Sequence, residues 1–314
     1  MMKMNKMRII AAAAALSVSC IAGAQTTGFL NVNPDPVSLG MGGIGTTLES
    51  TPYAMWNNAA ASALDDDDFQ IGAVYSLWQP SATANNVAAV AGYGKVTEYM
   101  TVSAGIRYFG YSPYDITDGS TGMVTGRFTP VELLAEVGLG FRILPVLSVG
   151  ANIGYVHSDL GGPEKGRAVS VDFGALLDFG FIRAALTVSD IGSRISYGTG
   201  DYALPSNLRI GVGTVQSIGD GDKHSVYAGI DGGMGFDGTS FFAGIGAQYE
   251  WNGLLRVSAG YHYGDAERQF FGSFASLGAG ISIIGISVNA SYLFAVDGVS
   301  SIGNTFAVGV SYAF

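Results

Sequence analysis

Apolar and polar residues alternate with a period of two along most of the chain beyond residue 68. At the C-terminus Phe306, Val308, Val310, Tyr312 and Phe314 alternate with Thr305, Ala307, Gly309, Ser311 and Ala313. Successive strand side chains point to opposite faces, so this is a strand with one bulky apolar side and one small or polar side. The pattern recurs in Val102, Ala104, Ile106 and Tyr108, in Leu133, Ala135, Val137, Leu139 and Phe141, and in Val149, Ala151, Ile153 and Tyr155. Charges fall on the opposite phase: Arg107, Glu132, Glu136, Arg142, Asp172, Asp178, Arg183, Arg209, Glu250 and Arg256 all sit between apolar positions.

Fourteen strands are predicted, at 69–78, 86–95, 100–110, 131–143, 147–158, 168–178, 181–190, 207–216, 224–233, 240–250, 254–263, 272–284, 286–296 and 304–314. An even number suits antiparallel closure with both ends on one side. The links also alternate in length. Leu144-Pro145, Gly180 and Gly285 mark short turns, while 111–130, 159–167, 191–206 and 297–303 are longer.

Composition says what lies outside the strands. Charged residues are 13% and apolar ones 48%, against about a quarter charged in an ordinary soluble domain. No apolar run after residue 24 approaches the roughly 18 to 20 residues a membrane helix needs. Only helices and closed barrels satisfy their backbone in lipid. The expectation is therefore all-β: a transmembrane antiparallel β-barrel of about fourteen strands, with charges in the lumen, where they avoid the cost of about 2 to 4 kcal/mol for a mid-bilayer arginine. The 47 glycines and the 17 phenylalanines with 16 tyrosines fit that reading.

The first residues predict export. Lys3, Lys6 and Arg8 precede an apolar stretch from Ile9 to Val18, and Ala22-Gly23-Ala24 offers a cleavage site, giving a signal peptide at 1–24. A rival reading lipidates Cys20. Cleavage after Ala24 removes the only cysteine, and with it disulfide and thiolate chemistry. It also removes three of the 15 basic residues and none of the 25 acidic ones. A chain so acidic makes nucleic acid an unsuitable partner. Residues 25–68 lack strand periodicity and end in Asp65-Asp66-Asp67-Asp68, so they are expected to form a hatch folded into the barrel of 69–314, with a periplasmic arm as the alternative.

Candidate chemistry is sparse. His157, His224 and His262 are scattered without metal-ligand spacing, and the four aspartates lack the spaced ligands of a calcium loop, reading better as a solvated charge run. Gly40-Met41-Gly42-Gly43-Ile44-Gly45 lacks the lysine of a phosphate-binding loop. No catalytic residues, metal or cofactor are assigned. Leu39, Met41 and Leu48 are candidates to line a pocket.

Several separated segments together resemble the PorV/PorQ family of the Bacteroidetes, related in architecture to the FadL fatty-acid transporters. They are Phe29-Leu30 with Asp35-Pro36-Val37-Ser38-Leu39-Gly40-Met41-Gly42-Gly43; Trp56-Asn57-Asn58-Ala59; Ser189 to Tyr197 with Ile191, Gly192 and Ile195; and Leu204-Pro205-Ser206-Asn207-Leu208-Arg209. Arg268-Gln269-Phe270-Phe271 and Ser291-Tyr292-Leu293 follow in order. Asn58 stands where the family usually has proline.

The resemblance implies a hatch-bearing barrel without chemistry of its own, a component or cargo shuttle of type IX secretion that meets the translocon and cargo C-terminal domains. FadL-like transport of small hydrophobic compounds is the alternative. The implied surroundings are outer-membrane lipid, lipopolysaccharide and the insertion machinery, whose signal would be Phe306, Tyr312 and Phe314.

Overall fold

The computed structural model describes residues 27–80, 83–118, 122–161, 164–198, 200–219, 223–236, 240–264, 272–296 and 302–314. The predicted signal segment 1–24 and Arg268–Phe271 lie outside them.

In chain order the strands begin with β1 (Phe69–Trp78), β2 (Asn85–Thr97), β3 (Met100–Gly110), β4 (Tyr114–Thr117), β5 (Val124–Phe128) and β6 (Val131–Leu144). Next come β7 (Leu147–Asp159), β8 (Gly166–Asp178), β9 (Ile182–Gly192), β10 (Ile195–Ser196), β11 (Asp201–Tyr202) and β12 (Asn207–Ile218). The last are β13 (His224–Gly235), β14 (Phe241–Trp251), β15 (Leu255–Gly264), β16 (Phe274–Ile283), β17 (Ile286–Ala295) and β18 (Thr305–Ala313).

Fourteen of these form one closed antiparallel barrel, with β18 paired to β1; β4–β5 and β10–β11 are separate hairpins. Every predicted barrel strand is present, and no end differs by more than two residues. The two hairpins fall in segments read as loops. They cross no membrane, so they need no long two-faced pattern.

The alternation sorts the side chains as predicted. Val102, Ile106, Val137, Ile153, Phe306, Tyr312 and Phe314 are exposed on the outside, while Glu132, Glu136 and Arg107 are buried inside. A closed wall that is apolar outside and charged inside is a transmembrane barrel of the outer-membrane kind. Phe69 and Phe314 share the rim of the short turns, which is the periplasmic rim in such barrels. Phe314 O accepts from the amides of Asp68 and Phe69 at 2.9 and 3.0 Å, and its own amide donates to Phe69 O at 3.1 Å.

Residues 27–68 occupy the lumen as short helical turns: Gly28–Asn31, Pro36–Gly40, Ala54–Asn57 and Ala61–Leu64. Asp35 caps the second of these, its carboxylate accepting from the Val37 amide at 2.9 Å, and Pro36 follows where a missing N–H costs nothing. The wall makes room for this insert with glycine. Gly246 and Gly260 lie against the Met41–Gly42 backbone, Gly105 against Trp56 and Gly150 against Ala59.

Gly42 and Gly43 both have φ of +73°. That left-handed turn ends the Pro36–Gly40 helix, which explains the glycine run without any phosphate. Asn58 has φ of −159°, a value closed to proline, and its amide reaches Thr46 O at 2.9 Å and Ala175 O at 3.3 Å. The departure from the expected proline is thus built into this backbone.

Candidate functional site

The lumen is layered. Near the extracellular rim, Trp78, Phe109, Leu134, Val156, Ile195, Leu204, Phe274 and Leu293 close over the insert's Phe29, Leu30 and Val32 in one apolar cluster. Ile195 lies in the β10–β11 hairpin and Leu204 just after it, so these motif residues serve as a roof. Glu132 is fully buried there, accepting from Tyr111 Oη at 2.5 Å and Ser158 Oγ at 2.7 Å.

The middle layer is charged. Arg107 Nη1 donates to Leu30 O at 3.3 Å and Val32 O at 2.5 Å, and its guanidinium sits over the Phe29 and Trp56 rings. Trp56 Nε1 donates to Glu136 Oε2 at 2.5 Å. Asn33 Nδ2 reaches Asn57 Oδ1 at 2.7 Å, and Asn57 Nδ2 reaches Asp35 Oδ2 at 2.8 Å. Asp231 takes the amides of Gly45 and Thr46 on Oδ2 and the Thr46 hydroxyl on Oδ1. Wall and insert are therefore joined by charge-assisted hydrogen bonds, each roughly twice as strong as neutral ones.

Beside this layer the regular pairing of the wall breaks. Between Val171↔Ile191 and Phe173↔Val188 the β8–β9 register shifts, so Ser189 and Asp190 together oppose Asp172. This is a bulge, which bends a strand and re-aims its side chains. Asp190 has φ of +58°, its amide donates to Asp172 Oδ1 at 2.7 Å, and its carbonyl accepts from Ser206 Oγ at 2.5 Å. The β9–β12 ladder stops at Asn207↔Ser189, and the described residues between 193 and 206 leave the wall for the β10–β11 hairpin. Behind the break is a cavity of about 40 Å³ lined by Arg107, Glu136, Asp172, Asp190, Asn207 and Arg209, among others.

A larger cavity of about 380 Å³ lies towards the periplasm, lined by Leu48, Asp65, Asp67, Arg183 and Arg256 among others. The acidic run predicted as a solvated face is half built in. Tyr93 Oη donates to Asp65, and Gln70 Nε2 donates to Asp65 and Asp67 at 3.0 and 2.8 Å. Burial pushes the Asp65 carboxyl above its usual range, with Asp67 adding to the rise and the Tyr93 bond opposing it.

Other predicted residues divide. Leu48 lines the periplasmic cavity, whereas Leu39 and Met41 are packed away. Asn207 and Arg209 reach the cavity behind the break, Asn207 Nδ2 donating to Pro205 O at 3.2 Å. Ile191 is exposed, Leu208 half-buried, and Gly192 sits against the β8 backbone at Val169–Ser170. Gly40 packs against Gly278. His262 is stacked between Phe242 and Phe274. Asp190 and Asp231 were overlooked, although the lumen phase of β13, with Asp231 between Ile230 and Gly232, marks the second.

No family model and no curated protein matches the chain. Among solved structures, the toluene transporter TbuX of Ralstonia pickettii superposes with a TM-score of 0.62 at 15% identity, over 90% of this chain and 98% of that one. The fold is FadL-like. The monoaromatic hydrocarbon channel CymD matches at 14% identity and a TM-score of 0.62, over 90% and 98%. A Pseudomonas aeruginosa FadL homologue matches at 14% and 0.52, over 89% and 98%. Those named for a task are transporters or channels. The PorV/PorQ resemblance gains no support from these matches.

Proposed function

We propose that this chain is an outer-membrane channel of the FadL kind, which admits small hydrophobic compounds, holds them at the 27–68 insert acting as a hatch, and releases them sideways through the wall. The observation that carries this reading is the bulge at Ser189–Asp190, where the β9–β12 ladder ends and a cavity lies directly behind. An apolar solute that leaves sideways at the break enters lipid directly and need not continue through the polar periplasmic half of the lumen, whose charged side chains would oppose it. The apolar roof supplies the matching outer chamber.

Deleting Asp190 restores one-to-one pairing with β8 and straightens the strand. Uptake of a labelled hydrophobic solute by cells carrying this variant should fall to the level of cells lacking the protein, with the barrel still folded. Unchanged uptake would count against the lateral route. The secretion reading, in which the barrel partners a type IX translocon and cargo C-terminal domains, has its own assay: affinity capture of the native barrel should recover no such proteins if transport is the task.

A further inference from the structure

The cavity behind the wall break is bordered by five charged side chains, of which Arg107, Glu136 and Asp190 are buried. Among the described residues, neither Arg107 nor Arg209 comes within 4.0 Å of a carboxylate oxygen, although Glu136, Asp172 and Asp190 line the same void. Arg107 is 4% exposed and its Nε–H has no acceptor; Asn207 is 8% exposed and its Oδ1 has no donor. Arg209 lies over the Phe242 ring at 4.8 Å and donates no hydrogen bond within the described residues. A buried donor and a buried acceptor left unmet both destabilise the folded chain. Something that both accepts and donates would satisfy them.

The size and charge of the void narrow the candidates. About 40 Å³ holds roughly three water-sized atoms, on the measure that one water needs about 10–15 Å³. Three carboxyl groups crowd the void beside two guanidiniums, so an anionic head would be set against carboxyl oxygens. A bare hydrocarbon would leave the donor and acceptor unmet. Leu30 and Trp56, on the insert side, supply the apolar part of the lining.

We propose that this void seats the polar head of the transported compound, and that the substrates are neutral amphiphiles carrying a hydroxyl or carboxamide, with phenols as the simplest case. This rests on the transport reading above and names its substrate class. Sites built to hydrogen-bond a substrate group discriminate strongly against analogues without it.

Toluene, p-cresol and p-toluate share one ring and differ in the head. Calorimetry on the purified full-length barrel in detergent should show p-cresol binding at least tenfold more tightly than either of the others. Asn207→Leu, and separately Arg209→Met, should bring p-cresol down to the level of toluene; heat-modifiable migration on gels verifies that each variant is folded. Toluene or p-toluate binding as tightly as p-cresol overturns the proposal, as does p-cresol binding untouched by both substitutions. Binding of none of the three also overturns it, leaving the void to water. Flux of the same probes into liposomes is read separately. Equal flux of toluene and p-cresol leaves transport standing without the head-group seat, whereas no flux of any probe sinks transport while calorimetry still decides the seat.

Discussion

Thr46 and Asp231 meet twice: the Thr46 hydroxyl donates to Oδ1 at 2.8 Å and its amide to Oδ2 at 3.1 Å. With the Gly45 amide at 2.8 Å, one wall carboxylate holds a whole turn of the insert. Replacing it with leucine leaves two amides and a hydroxyl buried without acceptors. Asp231→Leu should weaken insert docking by about 3 kcal/mol or more, from several hydrogen bonds to a charged group at about 1.5–3 kcal/mol each. Hydrogen exchange at Gly45 and Thr46 is the readout; exchange as slow as in the parent protein would refute the anchor.

Shape should matter as much as charge. A Cβ at Gly260 would collide with the Met41–Gly42 backbone, which has no flexible end to swing aside. Gly260→Val is expected to displace the insert, with overpacking costs of about 1–3 kcal/mol or more, while the barrel still forms. Protease cleavage within 27–68, beside an intact heat-modifiable barrel, would register this. Resistance equal to wild type would not fit.

The periplasmic clamp at Asp65 should respond to pH. Burial pushes its carboxyl above the ordinary aspartate value of 3.8. A raised folded-state pKa means the native state holds the proton more tightly than the unfolded chain. That stabilisation is complete below about 3.8 and is lost as pH rises through the folded value. Asp65→Asn keeps an acceptor for Tyr93 Oη without the charge. Its melting temperature, relative to wild type, should climb as pH goes from about 4 upwards and then level off; a constant difference between the two proteins contradicts the assignment.

At the seam, Phe314 closes the barrel with three backbone hydrogen bonds to Asp68 and Phe69 and sets its ring 5.5 Å from that of Phe69. If Phe306, Tyr312 and Phe314 are the signal read during insertion, removing Phe314 should cut the assembled fraction severalfold at equal synthesis, measured by heat-modifiable migration. Normal assembly would separate the terminal aromatic from that role.

The barrel was legible in the sequence because its strands carry one signal: apolar outside, small or charged inside, every second residue. Lipid enforces that pattern at each position it touches, so Arg107, Glu136 and Arg209 could be assigned inward without coordinates. The insert has no such solvent on one side. Its residues meet other protein on all sides, and what holds Thr46 or Asn58 is a partner more than a hundred residues away. The bulge at Asp190 was invisible for a related reason: one added residue in β9 changes pairing with β8 while leaving the local composition that of a strand. The β4–β5 and β10–β11 hairpins stand above the membrane, where no alternation is imposed.

The Gly42 amide finds its partner in Ser276 Oγ, 234 residues further along the chain. The segment that is synthesised early thus has part of its seat on β15–β18, the strands synthesised last. Until those strands exist, residues 36–43 have nowhere to settle. Once β18 has zipped to β1, the lumen is shut. Assembly must therefore wrap the late hairpins around a tethered cargo of the chain's own making, in a narrow interval between their arrival and the sealing of the seam.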